Sequence, residues 1–298
     1  MAKEKPKKTV KKSSTKPEVQ SAASASVIQT ASAEPKTKGF FARKCDKNEN
    51  VITIFKTPKI WGALLGELIG TMLIMVFLLT IGIQPLYLIF ATVGVYVAVV
   101  GLSGANLNPL ITVGMMATRR MSAIRGVLYI LAQVLGAWIG LIVVNAFRLG
   151  SGTVYELPMM AEISGNVFWT VALIELVGAI IIAFAFARAL RYAKKSPLTF
   201  ALTVTSALTL AIIFGLIVSQ NYFELEGVFI MNPAAALMYQ ILPTTADGIG
   251  ELASLAGLAL AAYVVFPMIG GVIGFYLSDL AGYLSQGGYE CDDYNYEK

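Results

Sequence analysis

The stretch from Ser103 to Thr112, Ser-Gly-Ala-Asn-Leu-Asn-Pro-Leu-Ile-Thr, constrains this chain more than any other. Asn108 followed by Pro109 predicts a helix start, because the asparagine oxygen can cap free N–H groups and proline suits the first turn. The apolar body of this helix, Leu110 to Ala117, would rise only about 12 Å, less than half of a ~30 Å hydrocarbon core. The helix is therefore predicted to enter a membrane without crossing it.

The same pattern recurs at residues 229–237, Phe-Ile-Met-Asn-Pro-Ala-Ala-Ala-Leu, with Asn232 and Pro233 in the corresponding places. A single Asn-Pro pair usually marks an ordinary turn before a helix. Two in matching places of an apolar chain predict paired half-helices, near residues 108–117 and 232–239. Irregular backbone at membrane depth is tolerated only in protein or beside a cavity, so the pair indicates a pore or a transport site.

The composition is that of an integral membrane protein, with 56% hydrophobic and 14% charged residues in 298. Six apolar runs are long enough to span a bilayer: 60–81, 86–100, 124–147, 167–190, 198–218 and 255–277. Each group of three runs carries a glutamate in its first run, Glu67 or Glu175, and an Asn-Pro pair after its second. Because three is odd, the groups must be inverted. The predicted fold is an all-α membrane protein with six transmembrane helices and two re-entrant half-helices in inverted repeats.

The positive charge lies mainly in one tail. Residues 1–60 hold 14 Lys/Arg against 5 Asp/Glu, and the remainder holds 9 against 13. We expect a disordered basic cytoplasmic tail at 1–55, lying against anionic lipid and not nucleic acid, a channel domain at 56–285 and a short cytoplasmic tail at 286–298. Lys and Arg near the span ends place both termini in the cytoplasm.

The chain contains no histidine, and Cys45 and Cys291 fall in the two predicted tails. Histidine is the most common general base and a frequent metal ligand. The sequence therefore argues against an enzyme, and we expect no catalytic residue, metal or cofactor.

Four motifs together resemble the aquaporin and aquaglyceroporin (major intrinsic protein) family over roughly residues 60–280. They are Ser-Gly-Ala-x-Leu-Asn-Pro at 103–109, Met-Asn-Pro-Ala at 231–234, the paired Glu-x-x-Gly motifs, and Tyr129-x-x-x-Gln133-x-x-Gly136. The resemblance implies a homotetramer in the cell membrane that passively conducts water and small uncharged solutes such as glycerol. Compact loops favour a bacterial source.

The resemblance also implies roles for individual residues. The pore motifs would be Asn108, Pro109, Leu110 and Asn232, Pro233, Ala234. Each asparagine would cap a half-helix and donate its NH₂ into the lumen, where converging helix dipoles oppose cations and protons. Glu67 and Glu175 would hold the re-entrant loops, helped by Gln133; the alternative is a proton relay. Tyr129 is part of the motif shared with the family, and the alternative is that it is an aromatic residue at the membrane interface.

The chain departs from the family at the outer filter. Ala235 stands where nearly all relatives place an arginine, Leu110 replaces the usual alanine, and Ala236 replaces an aspartate common in glycerol facilitators. The other filter positions follow from their spacing to the two asparagines. Phe229 takes one position. Gly215 takes the second, with Gln220 as its alternative, and Leu88 takes the third, with Phe90 as its alternative. These residues predict a widened, largely apolar filter of the glycerol-facilitator type, with weaker charge exclusion.

Two alternatives to this function stay open. One is a channel for urea, ammonia, a neutral weak acid or an ion, made possible by the missing arginine. The other is a non-conducting structural member of the fold, which a lumen packed by Leu88, Leu110 and Phe229 would favour.

Overall fold

The computed structural model describes residues 51–81, 84–151, 167–223, 229–238 and 257–286. Outside these ranges lie residues 1–50 of the tail predicted at 1–55, residues 287–298 of the tail predicted at 286–298, and residue 239, the last of the predicted second half-helix. Within them all regular structure is helical: α1 Val51–Lys56, α2 Pro58–Ile81, α3 Pro85–Ser103, α4 Pro109–Ala117, α5 Ala123–Ser151, α6 Phe168–Ala189, α7 Pro197–Val218, α8 Pro233–Ala236 and α9 Phe266–Gln286.

Six of the described segments are long and apolar enough to cross a membrane, which confirms the predicted six spans. They are Pro58–Ile81, Leu86–Ser103, Ala123–Gly150, Phe168–Tyr192, Pro197–Phe223 and Gly257–Ser285. Five of the helices start on a proline: α2, α3 and α7 among the spans, at Pro58, Pro85 and Pro197, and the short α4 and α8. Proline has no N–H to lose at the first helical position and its fixed φ suits the first turn, so these residues set the helix starts.

The internal repeat is visible in how the glycines pack. A Cβ on Gly136 of α5 would lie 2.3 Å from the carbonyl oxygen of Leu68 on α2. A Cβ on Gly270 of α9 would lie 2.5 Å from the carbonyl oxygen of Leu176 on α6. Leu68 and Leu176 each directly follow the glutamate of their repeat. The same backbone approach, made possible by a glycine, therefore joins the first and third spans of both halves.

Helices α4 and α8 are too short to span and are enclosed by longer helices. Helix α4 has nine residues and packs against α5 and α9. Helix α8 packs against α5 and against the π-helical turn Ala261–Val265 that precedes α9. Each half-helix thus contacts spans of both repeats, and the two half-helices also touch each other.

One predicted boundary is wrong. The basic tail was predicted to run to residue 55, whereas the structure begins helix α1 at Val51 and buries Ile54 in the hydrophobic core. The reason is local: Val51–Lys56 reads Val-Ile-Thr-Ile-Phe-Lys, and this apolar run can pack against the helices. At the other end, α9 extends through Gln286, one residue beyond the predicted domain.

Candidate functional site

Two asparagines begin the half-helices. Asn108 has extended backbone, and its Oδ1 accepts a hydrogen bond from Leu110 N at 3.0 Å. Asn232 is likewise extended, and its Oδ1 accepts from Ala234 N at 3.2 Å and from Ala235 N at 3.5 Å. An asparagine cap followed by proline satisfies free N–H groups of the first turn, which explains why each half-helix starts where it does.

The same two asparagines tie the half-helices to each other. Asn108 Nδ2 donates to the carbonyl oxygen of Met231 at 2.8 Å, and Asn232 Nδ2 donates to that of Leu107 at 3.2 Å. Sequence reasoning missed these bonds, because they are made to backbone atoms and no residue type signals them. An amide nitrogen carries two donors, so each asparagine keeps a second N–H. Both side chains lie at the same small residual exposure, 6%.

Glu67 braces the first re-entrant loop from inside the protein. Its carboxylate accepts from Asn106 N at 3.0 Å, Leu107 N at 2.8 Å and Gln133 Nε2 at 2.7 Å. Gln133 Nε2 also donates to Thr112 Oγ1 at 2.9 Å, which links the carboxylate to α4. Glu67 and Gln133 are fully buried. The glutamate therefore has the donors that a carboxylate needs in a membrane interior.

Glu175 braces the second re-entrant loop in the same way, but it accepts hydrogen bonds from fewer donors than Glu67. It accepts from Ile230 N and Met231 N, each at 3.0 Å. By the glycine correspondence described above, the residue matching Gln133 is Pro267, three before Gly270, which has no side-chain donor. Among the residues that the structure describes, Glu175 has only backbone donors, so the two loops are braced unequally.

Left-handed backbone explains why each loop needs a carboxylate. Leu107 has φ 53° and Met231 has φ 46°, values that side chains other than glycine rarely adopt. Each is the residue directly before a capping asparagine, and each donates its N–H to the glutamate of its own repeat. Such conformations cost about 1–3 kcal/mol each and persist where surrounding contacts enforce them. The glutamates supply part of that enforcement.

Tyr129 is an internal residue. Its hydroxyl donates to the carbonyl oxygen of Ser103 at 3.0 Å, at the end of α3, and its side chain is buried. The interfacial alternative for Tyr129 is therefore wrong.

At the predicted filter, the structure buries some of the candidate residues and exposes others. A Cβ on Gly215 would lie 3.2 Å from the ring of Phe229, so the glycine leaves room for that ring. Gln220 is exposed on the π-helical turn Ser219–Phe223. Leu88 faces inward, whereas Phe90 is 70% exposed. Gly215 and Leu88 are thus the residues placed on the protein interior with Phe229.

Ala235, which stands where relatives place an arginine, is enclosed by the protein. The Ala235 side chain is 0% exposed, and Ala234 and Ala236 are buried on either side of it. The physical reason is that a helix of small residues lets its neighbours, α5 and the turn Ala261–Val265, close around it.

Leu110 also serves packing. It is fully buried in the first turn of α4, and a Cβ on Gly271 of α9 would lie 2.2 Å from its carbonyl oxygen. The absence of a side chain on Gly271 therefore lets α4 lie directly on the last span.

A buried ion pair, which the sequence reasoning did not predict, lies just after the C-terminal end of α4. Arg120 donates through Nη2 to Asp279 Oδ1 and through Nη1 to Oδ2 at 3.2 Å, with side chains 6% and 9% exposed. The guanidinium carbon lies 5.3 Å from the centre of the Phe275 ring. Asp279 lies two residues after the last predicted apolar run, so the sequence indicated that this carboxylate needs a partner but did not identify Arg120.

Comparison with known proteins comes from sequence and from structure. A family model described as "Major intrinsic protein" matches residues 54–278. The chain is 31% identical over 84 residues to "Probable aquaporin PIP2-5" of Arabidopsis thaliana, covering 28% of this chain and 29% of that one. It is 32% identical over 94 residues to "Aquaporin AqpM" of Methanothermobacter marburgensis, covering 31% and 38%. The matched segments thus span less than half the length of these relatives.

A structural comparison extends further along the chain. The "X-ray structure of the aquaglyceroporin from Plasmodium falciparum" matches with a TM-score of 0.54 and 16% identity, over 76% of this chain and 96% of that one. At this identity the likeness concerns the fold alone.

Proposed function

The chain belongs to the major intrinsic protein family, and from that premise we propose that it is a passive membrane channel for water and small uncharged solutes. The observation that carries the proposal is the meeting of two capped half-helix N-termini, joined by Asn108 and Asn232. These two buried asparagines keep 6% exposure, whereas the loop-bracing Glu67 and Glu175 have none. Accessible surface at the meeting point is what a narrow lumen requires.

The proposed mechanism uses the second N–H of each asparagine. It would donate to the oxygen of a passing water or alcohol while the first N–H stays bonded to the opposite loop. The N-terminal ends of α4 and α8 both carry partial positive charge, which disfavours cations at the same point. Neutral hydroxyl-bearing solutes then pass more easily than ions.

For the solute, we propose a filter of the glycerol-facilitator type. Support comes from Phe229 seated against Gly215, with Leu88 also on the protein interior. Such apolar surfaces can contact the carbon chain of a polyol while its hydroxyls are bound elsewhere in the pore. We further propose a homotetramer in the plasma membrane of a bacterium, with both termini in the cytoplasm, from the family resemblance and the distribution of Lys and Arg.

The first prediction concerns permeation. Purified protein in lipid vesicles should speed osmotic shrinkage with an impermeant solute and re-swelling with glycerol, measured by stopped-flow light scattering. A Gly215→Leu variant is the matched control, because its side chain would meet Phe229 and Ile174. It should slow glycerol more than water. Rates equal to those of empty vesicles for both solutes would contradict the proposal.

A non-conducting structural role is the second candidate, and one observation favours it. Leu88, Leu110 and Phe229 are each at most 5% exposed. Side chains this enclosed suit a packed lumen as well as a narrow one. The vesicle experiment separates the two candidates, and adding urea, ammonia, weak-acid and potassium flux assays tests the remaining solute alternatives.

The second prediction concerns the residue in the place of the family's arginine. Ala235→Arg should lower glycerol permeability relative to water by about tenfold, equivalent to ~1.4 kcal/mol in barrier height, and should lower any cation leak. Residue 235 lies three after Asn232, on the same helical face as the asparagine that we place at the lumen, so the long side chain should extend toward that lumen.

Ala235→Leu separates size from charge in this experiment, because leucine adds volume without a cation. Both variants are compared with the parent in vesicles for polyol flux, water flux and cation flux. A folded Arg variant with an unchanged polyol-to-water ratio and an unchanged leak would place residue 235 away from the pore.

A further inference from the structure

A buried stripe on helix α3 continues inward from the proposed filter. Leu88, Thr92 and Tyr96 follow one another at intervals of four residues, which places them on one side of the helix, and all three are buried. Leu88 is the residue that we place in the filter. Tyr96 lies eight residues further along α3, a rise of about 12 Å. The stripe therefore brings a tyrosine hydroxyl into the interior of the protein, well beyond the filter.

The two polar side chains on this stripe differ in their hydrogen bonds. Thr92 Oγ1 donates to the carbonyl oxygens of Leu88 at 2.7 Å and of Ile89 at 3.2 Å, so its hydroxyl is satisfied within its own helix. The Tyr96 hydroxyl stands at the end of a ring, too far out for such a bond, and among the described residues it has no hydrogen-bond partner. A buried tyrosine hydroxyl usually has one, so this group needs a partner from outside the chain.

The Tyr96 oxygen also keeps accessible surface. In the part of the chain that the structure describes, the polar side-chain atoms that are both fully enclosed and without a partner belong to Arg120, Gln133 and Thr205. The Tyr96 oxygen is not among them, although the residue as a whole is only 4% exposed. A small molecule inside the protein can therefore reach this hydroxyl, whereas it cannot reach Thr205 Oγ1 on α7.

Aromatic packing fixes the direction of the ring. Tyr96 meets Phe200 of α7 edge to face, with ring centres 6.1 Å apart and planes at 75°. Phe200 in turn meets Phe186 of α6 at 5.3 Å and 78°, and both phenylalanines are fully buried. Helix α7 also carries Gly215 of the proposed filter. The hydroxyl is thus held in place before any solute arrives, between two helices that both contribute to the filter.

We propose that the Tyr96 hydroxyl is a solute-binding group that favours polyols, an inference that rests on the proposed channel function. Asn108 and Asn232 use Oδ1 to accept from backbone N–H groups, so their side chains offer a solute only donors. A tyrosine hydroxyl accepts as well as donates. A polyol carries several O–H groups, each of which needs an acceptor when it leaves water, and Tyr96 supplies one beyond the filter.

Tyr96→Phe tests the proposal, because it removes one oxygen and keeps the ring against Phe200. In vesicles, followed by stopped-flow light scattering, glycerol permeability should fall about fivefold and water permeability by less than about twofold. Water is affected less because neighbouring waters can replace the lost bond. Thr205→Val is the matched control: it removes another hydroxyl without a partner, but one that is enclosed, so neither permeability should change.

A second measurement tests access to the hydroxyl without any flux. The chain has two cysteines, Cys45 and Cys291, and both are changed to serine. In that background Tyr96→Cys should react with methyl methanethiosulfonate, a small neutral thiol reagent, whereas Thr205→Cys should stay unmodified. Mass spectrometry of the purified protein measures the extent of reaction at each position.

Several results would overturn the inference. One is a conducting parent whose glycerol-to-water ratio is unchanged by Tyr96→Phe, which would leave the proposed function standing. Another is an equal loss from Thr205→Val, which would show that the effect does not depend on contact with the solute. A Tyr96→Cys thiol that stays unmodified would mean that solutes do not reach this position. A parent that conducts neither solute would remove the proposed function and this inference together.

Discussion

Replacing Glu67 with leucine should destabilise the protein more than the same change at Glu175. Glu67→Leu leaves three buried N–H groups without an acceptor, two of the backbone and one of Gln133 Nε2, whose other N–H can stay bonded to Thr112 Oγ1. Glu175→Leu leaves two backbone N–H groups. At about 1–3 kcal/mol for each unsatisfied buried donor, either change removes a large part of a typical folding free energy, and Glu67→Leu removes more.

Glutamine is the matched control at both positions. Glu67→Gln and Glu175→Gln retain one oxygen that can accept, so their loss should be intermediate. Thermal unfolding midpoints in detergent, followed by circular dichroism, rank the four variants against the parent. Equal losses for the two leucine variants would mean that the Gln133 bond contributes nothing. Should a glutamine variant unfold like the parent yet lose a pH-driven uptake that the parent has, the proton-relay alternative would be preferred.

Breaking the ion pair at the end of α4 should give the second large effect on the free energy of unfolding. Arg120→Met alone should cost about 3–5 kcal/mol, because it leaves the Asp279 carboxylate buried without its partner. Asp279→Leu alone should be similarly harmful. The double variant removes both charges and substitutes apolar groups beside Phe275, so it should be close to the parent in stability.

A double-mutant cycle on the same unfolding assay measures the coupling between the two side chains. Arg119→Met is the control, since Arg119 is the neighbouring arginine and is exposed, and it should change stability little. Additive losses, with the double variant as unstable as the two singles combined, would show that the pair does not act as a unit.

The sequence predicted those features that depend on residue type at a local spacing. Asn-Pro determines where a half-helix begins, and a glutamate inside an apolar span requires donors, so the caps and the carboxylates could be located in advance. The contacts made by Asn108 Nδ2 and by Arg120 could not be predicted, because their partners are 123 and 159 residues away along the chain. The enclosure of Ala235 depends on how closely α5 approaches, which no residue in its motif encodes.

The reciprocal bonds of Asn108 and Asn232 also decide what kind of movement the protein can make. An alternating-access carrier rocks one repeat against the other around a central site. Here each repeat donates to a carbonyl of the other at the centre, at 2.8 Å and 3.2 Å, so rocking would break both bonds and strip two buried carbonyls of their donors. These two bonds hold the halves together, so in the proposed channel solutes would move by diffusion, without a conformational cycle for each molecule.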